Sequence, residues 1–209
     1  MVKRENKSLI FEQQFKIFLA AGIIWGFLEL FLRLLFGTVL PTFLPLLVPF
    51  LIMLVVLTVK YFLPTPGTFL LMGILAASIQ YLLSDEIFPN TLIIILAVSV
   101  IVEIVFLLFR FRTVSFIISG ILISLYNMFH PLLAQGYLFE HVQFVRFRTW
   151  FADLFGYATS NAVSKELVFA VLIVLHILVG LLAGWLVIRI IQALKKKGYI
   201  QKIQVFACL

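Results

Sequence analysis

The stretch LVFAVLIVLHILVGLLAGWLVIRII, Leu167 to Ile191, decides the fold. One charge, Arg189, interrupts it near its end, and Gln192-Ala193-Leu194 leads from it into Lys195, Lys196 and Lys197. A membrane span needs roughly 20 predominantly apolar residues, and this run exceeds that without a break. A helix that is apolar on every side belongs either in the core of a large protein or in a bilayer. The lysine run behind it marks the cytoplasmic side, where basic residues are retained.

The rest of the chain agrees. Of its 209 residues, 64% are hydrophobic and 12% charged, with a mean hydropathy of +1.19. A soluble domain is nearer half apolar and a quarter charged, so the bilayer must serve as solvent for most of these side chains. The formal charge of +7 and pI near 9.7 would suit a nucleic-acid binder, but the basic residues sit at the termini and in short loops. No basic, aromatic-interleaved patch suits nucleic acid, and the termini are placed to touch anionic lipid headgroups. The single cysteine, Cys208, excludes an internal disulfide and a cysteine metal cluster, and being penultimate it does not make a prenylation box.

Five further apolar runs read as spans: about Gln14 to Phe36, Leu44 to Phe62, Gly67 to Leu83, Asn90 to Phe109 and Val114 to Leu133. The first is too long for a signal peptide and carries Glu29 and Arg33, so it reads as retained. Pro64-Thr65-Pro66-Gly67, Ser84-Asp85-Glu86 and Arg110-Phe111-Arg112-Thr113 break the runs. The expectation is an all-α integral membrane protein: one six-helix membrane domain over residues 1–209, in the cell membrane, with a cytoplasmic tail over 192–209. With both termini inside, the inner side holds Lys3, Arg4, Lys7, Lys16, Lys60, Arg110, Arg112, Arg189, Lys195, Lys196, Lys197 and Lys202. The outer side holds Arg146, Arg148 and Lys165, with Arg33 at the outer edge. A five-span arrangement would put the lysine run on the wrong side.

The one long loop, residues 134–166, lies outside. Within it Phe144, Phe147, Phe151, Leu154 and Phe155 recur at helical spacing, interrupted by Arg146, Arg148 and Asp153. An amphipathic helix is expected, lying on the membrane surface or capping the bundle as a lid.

Ionisable groups within a span are costly and mark functional sites by default. Here they are Glu29, Arg33, Glu103, His130 and His176, with Gln80 and Asn127 as uncharged companions. Gly22, Gly26, Glu29 and Arg33 are four, three and four residues apart, on one helical face. Its inner half admits a close-packed neighbour; its outer half pairs an acid with a base at i,i+4. At 1.5 Å per residue, Glu29, Gln80, Asn127 and His130 all fall in the outer half of the membrane, with His176 near the middle. Polar groups from several spans at one depth suggest a cavity open to the outside; separate helix–helix hydrogen bonds are the alternative. The expected pocket is lined by Glu29, Arg33, Gln80, Asn127 and His130, floored by His176 and covered by the segment near Trp150 and the proline-rich stretch from Pro41. Glu103, in the inner half, is left between a loop arginine such as Arg112 and a partner subunit. Pro41, Pro45 and Pro49 imply either an outer loop over the bundle or a proline-bearing helix start. His176, Gly180 and Gly184 form a close-packing stripe on the last span.

No Gly-x-Ser-x-Gly, His-Glu-x-x-His, Walker or dinucleotide motif occurs. The chain therefore reads as no enzyme, with no metal or cofactor and no means of hydrolysing ATP alone. Two other readings stay open: a membrane scaffold whose polar groups only pack helices, and a haem protein clamped by His130 and His176.

In layout the chain resembles the S-components, the substrate-binding membrane subunits of energy-coupling-factor vitamin transporters. The likeness rests on its length, six expected spans, both ends inside, the small-residue stripe of Ala20, Ala21, Gly22 and Gly26, and Pro64-Thr65-Pro66-Gly67-Thr68 followed by Met72-Gly73. The resemblance implies a pocket near the outer surface for a vitamin or its precursor, a transmembrane coupling subunit and two cytoplasmic ATPases. The family's first span often carries Ala-xxx-Ala, which docks on the coupling subunit; the matching positions here are Gly22 and Gly26.

Overall fold

In the computed structural model, residues 2–39, 43–83, 90–134 and 142–197 are described, and they form seven α-helices. These are α1 (Val2–Val39), α2 (Leu44–Phe62), α3 (Thr68–Leu83), α4 (Asn90–Phe109), α5 (Thr113–Ala134), α6 (Val142–Leu154) and α7 (Lys165–Lys196), with a 3-10 turn at Ser160–Ala162 before α7. There is no strand among the described residues.

The bundle is turned inside out relative to a soluble protein. Leu82, Leu108, Leu34 and Phe31 stand 79, 72, 67 and 59% exposed, while Glu29, Lys60, Gln80, Glu103, Asn127 and His176 are buried. Apolar side chains outside and polar ones inside is the arrangement that hydrocarbon demands. Four helices hold a stretch long and apolar enough to cross a membrane: Phe15–Leu32, Thr91–Phe109, Thr113–His130 and Lys165–Lys196. The apolar stretches of α2 and α3, Leu46–Phe62 and Thr68–Leu83, are shorter. The chain is thus a multi-pass helical membrane protein.

Small residues set the closest helix contacts. A Cβ added to Gly120 would lie 2.3 Å from the Gly180 carbonyl oxygen, and one added to Gly184 would lie 2.7 Å from the Phe116 carbonyl oxygen, so α5 and α7 touch backbone to backbone. Gly73 of α3 lies against Ser99 of α4. Gly22 and Gly26 face Leu75 and Ile79 of α3. The close approach that their spacing predicted is therefore made within the chain, by α3.

One end of the bundle gathers the C-terminal ends of α2, α4 and α7. There Lys60 Nζ meets Glu103 Oε2 at 3.0 Å, the Gly67 backbone N–H donates to Glu103 Oε1 at 2.6 Å, and Lys195 Nζ lies 5.1 Å from the Tyr61 ring. Glu103 thus pairs with Lys60, where Arg112 or a partner subunit was expected. Gly67 makes the turn into α3 at φ +83°, a conformation that suits glycine.

At the other end α6 caps the bundle. Its Phe144, Phe147 and Phe151 are buried with Met128 of α5 and Val168 and Leu172 of α7. Arg148 fastens it, with Nε and Nη2 donating to the Val163 carbonyl at 3.1 and 2.6 Å. Leu154 and Phe155 remain exposed. The chain enters α2 directly as helix, with proline in its first turn and Pro49 inside it. The proline-bearing helix start therefore holds for Pro45 and Pro49, while Pro41 lies outside the described residues.

Candidate functional site

The buried polar groups divide into those that tie one helix to another and those that face a cavity. Gln80 of α3 donates through Nε2 to the Gly26 carbonyl of α1. It joins the helices where the glycine stripe brings them together. His176 of α7 shares a 3.0 Å hydrogen bond with Ser124 Oγ of α5 through Nδ1. This bond crosses the glycine-packed α5–α7 seam. Both residues are explained by helix packing, as intramembrane polar side chains often are.

Glu29 and Asn127 differ. Both line a small enclosed cavity with Trp25, Pro49, Ile52, Ile94, Ile95, Val98 and Ile123. Four helices contribute: α1 gives Trp25 and Glu29, α2 gives Pro49 and Ile52, α4 gives Ile94, Ile95 and Val98, and α5 gives Ile123 and Asn127. Trp25 and Glu29 share a face because they are four apart on α1, and the Trp25 indole Nε1–H donates to Glu29 Oε2 at 3.3 Å. Asn127 Nδ2 donates to the Ile123 carbonyl one turn earlier, at 2.9 Å. Pro49 lacks the N–H that would close a helical hydrogen bond at this level of α2. In this conformation the cavity measures about 10 Å³, room for about one water molecule.

The remaining expected site residues are not among the described residues of the lining. His130 is one turn beyond Asn127 on α5, its ring 5.5 Å from that of Tyr126. Arg33 is one turn beyond Glu29 on α1, and its side chain is outside the described residues. Trp150 of α6 packs edge-on against Phe43 at 5.0 Å and beside Phe147 at 5.3 Å, over the start of α2. Of the two histidines of the haem reading, His176 is engaged with Ser124 through Nδ1, and the helices that bear them touch backbone to backbone at Gly120, Gly180 and Gly184.

Two participants escaped sequence reasoning. Trp25 passed as an apolar residue of the first span, although its spacing to Glu29 and its indole N–H were readable signals. Lys60 passed as a topology signal, yet it is buried beside Glu103 with the Phe69, Phe106 and Phe111 rings 5.7–5.9 Å from its Nζ.

No protein-family model matches the chain, and no curated protein matches it. Among solved structures, the fold is similar to a crystal structure of an S-component of an ECF transporter, with a TM-score of 0.57 and 20% sequence identity over 90% of this chain and 85% of that one. At that identity the likeness speaks for the backbone alone. The helices and their order therefore have the fold of an ECF transporter S-component.

Proposed function

We propose that the chain is the substrate-binding membrane subunit of an ATP-driven importer for a small vitamin-like or precursor nutrient. One observation carries the reading: a carboxylate, an amide and an indole from two helices converge on one enclosed cavity between four helices. Each polar group in that setting opposes burial in hydrocarbon, and the S-component fold supports a ligand as the reason for their convergence. Here α1, α2, α3, α4, α5 and α7 are the six spans, with both termini in the cytoplasm. The shorter α2 and α3 cross with flanking residues or a locally thinned bilayer. Glu29 and Asn127 contact the ligand, Arg33 and His130 stand at its outer side, and α6 with Trp150 covers the entrance. Gln80 and His176 shape the site by fixing helices. Energy comes from partners, a transmembrane coupling subunit and cytoplasmic ATPases.

A packing-only scaffold is the second reading, favoured by the Gln80–Gly26 and Ser124–His176 bonds. Purification of the full chain from its native membrane, with mass spectrometry of small molecules and proteins together, separates the two. The importer reading expects a vitamin-sized compound, a membrane partner and ATPase subunits. A chain that carries none of these supports the scaffold.

A further inference from the structure

Arg189 is the one charge inside the apolar run of α7, and the fold leaves it on the outside of the bundle. Spacings of four, four, three, four and seven residues put Val174, Leu178, Leu182, Trp185, Arg189 and Lys196 on one stripe of α7. The whole stripe is exposed, while Gly180, Gly184 and Val187 on the other side of the helix are buried. The 22 residues from Leu167 to Ile188 rise about 33 Å at 1.5 Å each, close to the roughly 30 Å of a hydrocarbon core. Arg189 therefore lies where hydrocarbon gives way to headgroup phosphates.

An arginine at the end of a span ordinarily extends its charge into water. Here Arg189 Cζ lies 5.2 Å from the centre of the Trp185 ring, one turn back into the membrane. A ring face supplies no lone pair, and a guanidinium carries five N–H donors and no acceptor. Among the described residues, the Arg189 side chain makes neither an ion pair nor a hydrogen bond. A cation held at this depth calls for an anion from outside the chain. Read from the middle of the membrane towards its edge, the stripe is aliphatic, then indole, then guanidinium, then ammonium. A phospholipid has the matching order: apolar chain, ester carbonyls that accept an indole N–H, then phosphate. The planar guanidinium fork fits two phosphate oxygens at once.

We propose that Trp185 and Arg189, with Lys196 behind them, bind the headgroup phosphate of an anionic phospholipid whose chains lie along Val174, Leu178 and Leu182. The inference is independent of the cavity and of its ligand.

Lipid quenching of Trp185 tests this directly. The full chain is reconstituted in vesicles of phosphatidylcholine and phosphatidylglycerol, with brominated chains on one lipid or the other, and Trp185→Phe run alongside supplies the background of Trp25 and Trp150. Wild type is expected to prefer phosphatidylglycerol at Trp185 by about fivefold, the factor that one basic residue near an anionic surface provides. Arg189→Gln should bring the two lipids to near equality, and Arg189→Lys should keep part of the preference. The wild-type preference should persist at about 0.5 M salt, because direct contact outlasts screening. Melting curves confirm that each variant is folded, and the wild-type preference with its salt resistance decides the matter if one is not. A preference that salt abolishes, or that folded Arg189→Gln retains, marks diffuse attraction to the lysine tail and overturns the site. A wild type with no preference overturns it in favour of an acidic residue on a membrane partner.

Discussion

Lys60 and Glu103 are 43 residues apart and hold each other in an interior that would reject either alone. Removing one partner from a buried ion pair typically costs about 3–5 kcal/mol, because the other charge is stranded, whereas replacing both with apolar residues is often close to neutral. Lys60→Met and Glu103→Leu should each lower the melting temperature strongly, and the double variant should recover most of the loss. A double-mutant cycle on melting free energy checks this; additive losses would deny the coupling. The pair also shows where residue-scale reading stops. A lysine at the end of a span is ordinarily a snorkelling topology marker, and nothing in its neighbours along the chain announces a carboxylate on another helix. Trp25 is similar: the sequence places it on the Glu29 face, but only packing reveals that its N–H is given to that carboxylate.

At the scale of the helices, much more was readable. The expected runs Leu44 to Phe62 and Asn90 to Phe109 coincide with α2 and α4, because a bilayer penalises every polar residue and so sharpens span edges. The first helix begins well before its apolar run, at Val2, since backbone hydrogen bonding continues where hydrophobicity does not. Small-xxx-small spacing at Gly22 and Gly26 correctly signalled a close neighbour but not its identity, and α3 proved to be that neighbour. The seam between α5 and α7 is tighter still. A Cβ at Gly180 would lie 2.6 Å from both the Gly120 carbonyl oxygen and the Ile121 Cα. Backbone cannot swing aside as a long side chain does, so Gly180→Ala should destabilise the chain by about 1–3 kcal/mol, the usual range for overpacking. Gly156→Ala has open space around it and should cost less, although its φ of +71° carries a strain of roughly 1 kcal/mol. Thermal unfolding of the two variants side by side checks the ranking.

For the whole molecule, charge carries the expected orientation. Lys195, Lys196 and Lys197 follow the last long span, and Arg110 and Arg112 lie between α4 and α5, so the positive-inside rule assigns that end to the cytoplasm. A reporter fused after Lys197 should report the cytoplasm and one inserted near Gln135 the outside; both on one side would refute six spans. What charge and hydropathy left hidden is the division of labour among the polar groups. Gln80 and Asn127 look alike as intramembrane amides at similar depth, yet one bridges two helices and the other lines a cavity. That difference depends on side-chain direction within a packed bundle, which no one-dimensional pattern encodes. The measurement that tests the account most directly exploits it. Wild type, Asn127→Ala and Gln80→Ala are purified from the native membrane, and retained small molecule and melting temperature are measured on each. The prediction is a bound compound on wild type, its loss by about ten- to a hundredfold in affinity from folded Asn127→Ala, and its retention by a Gln80→Ala that melts earlier. Equal retention by all three, with only the melting temperatures changed, would contradict the cavity as the binding site.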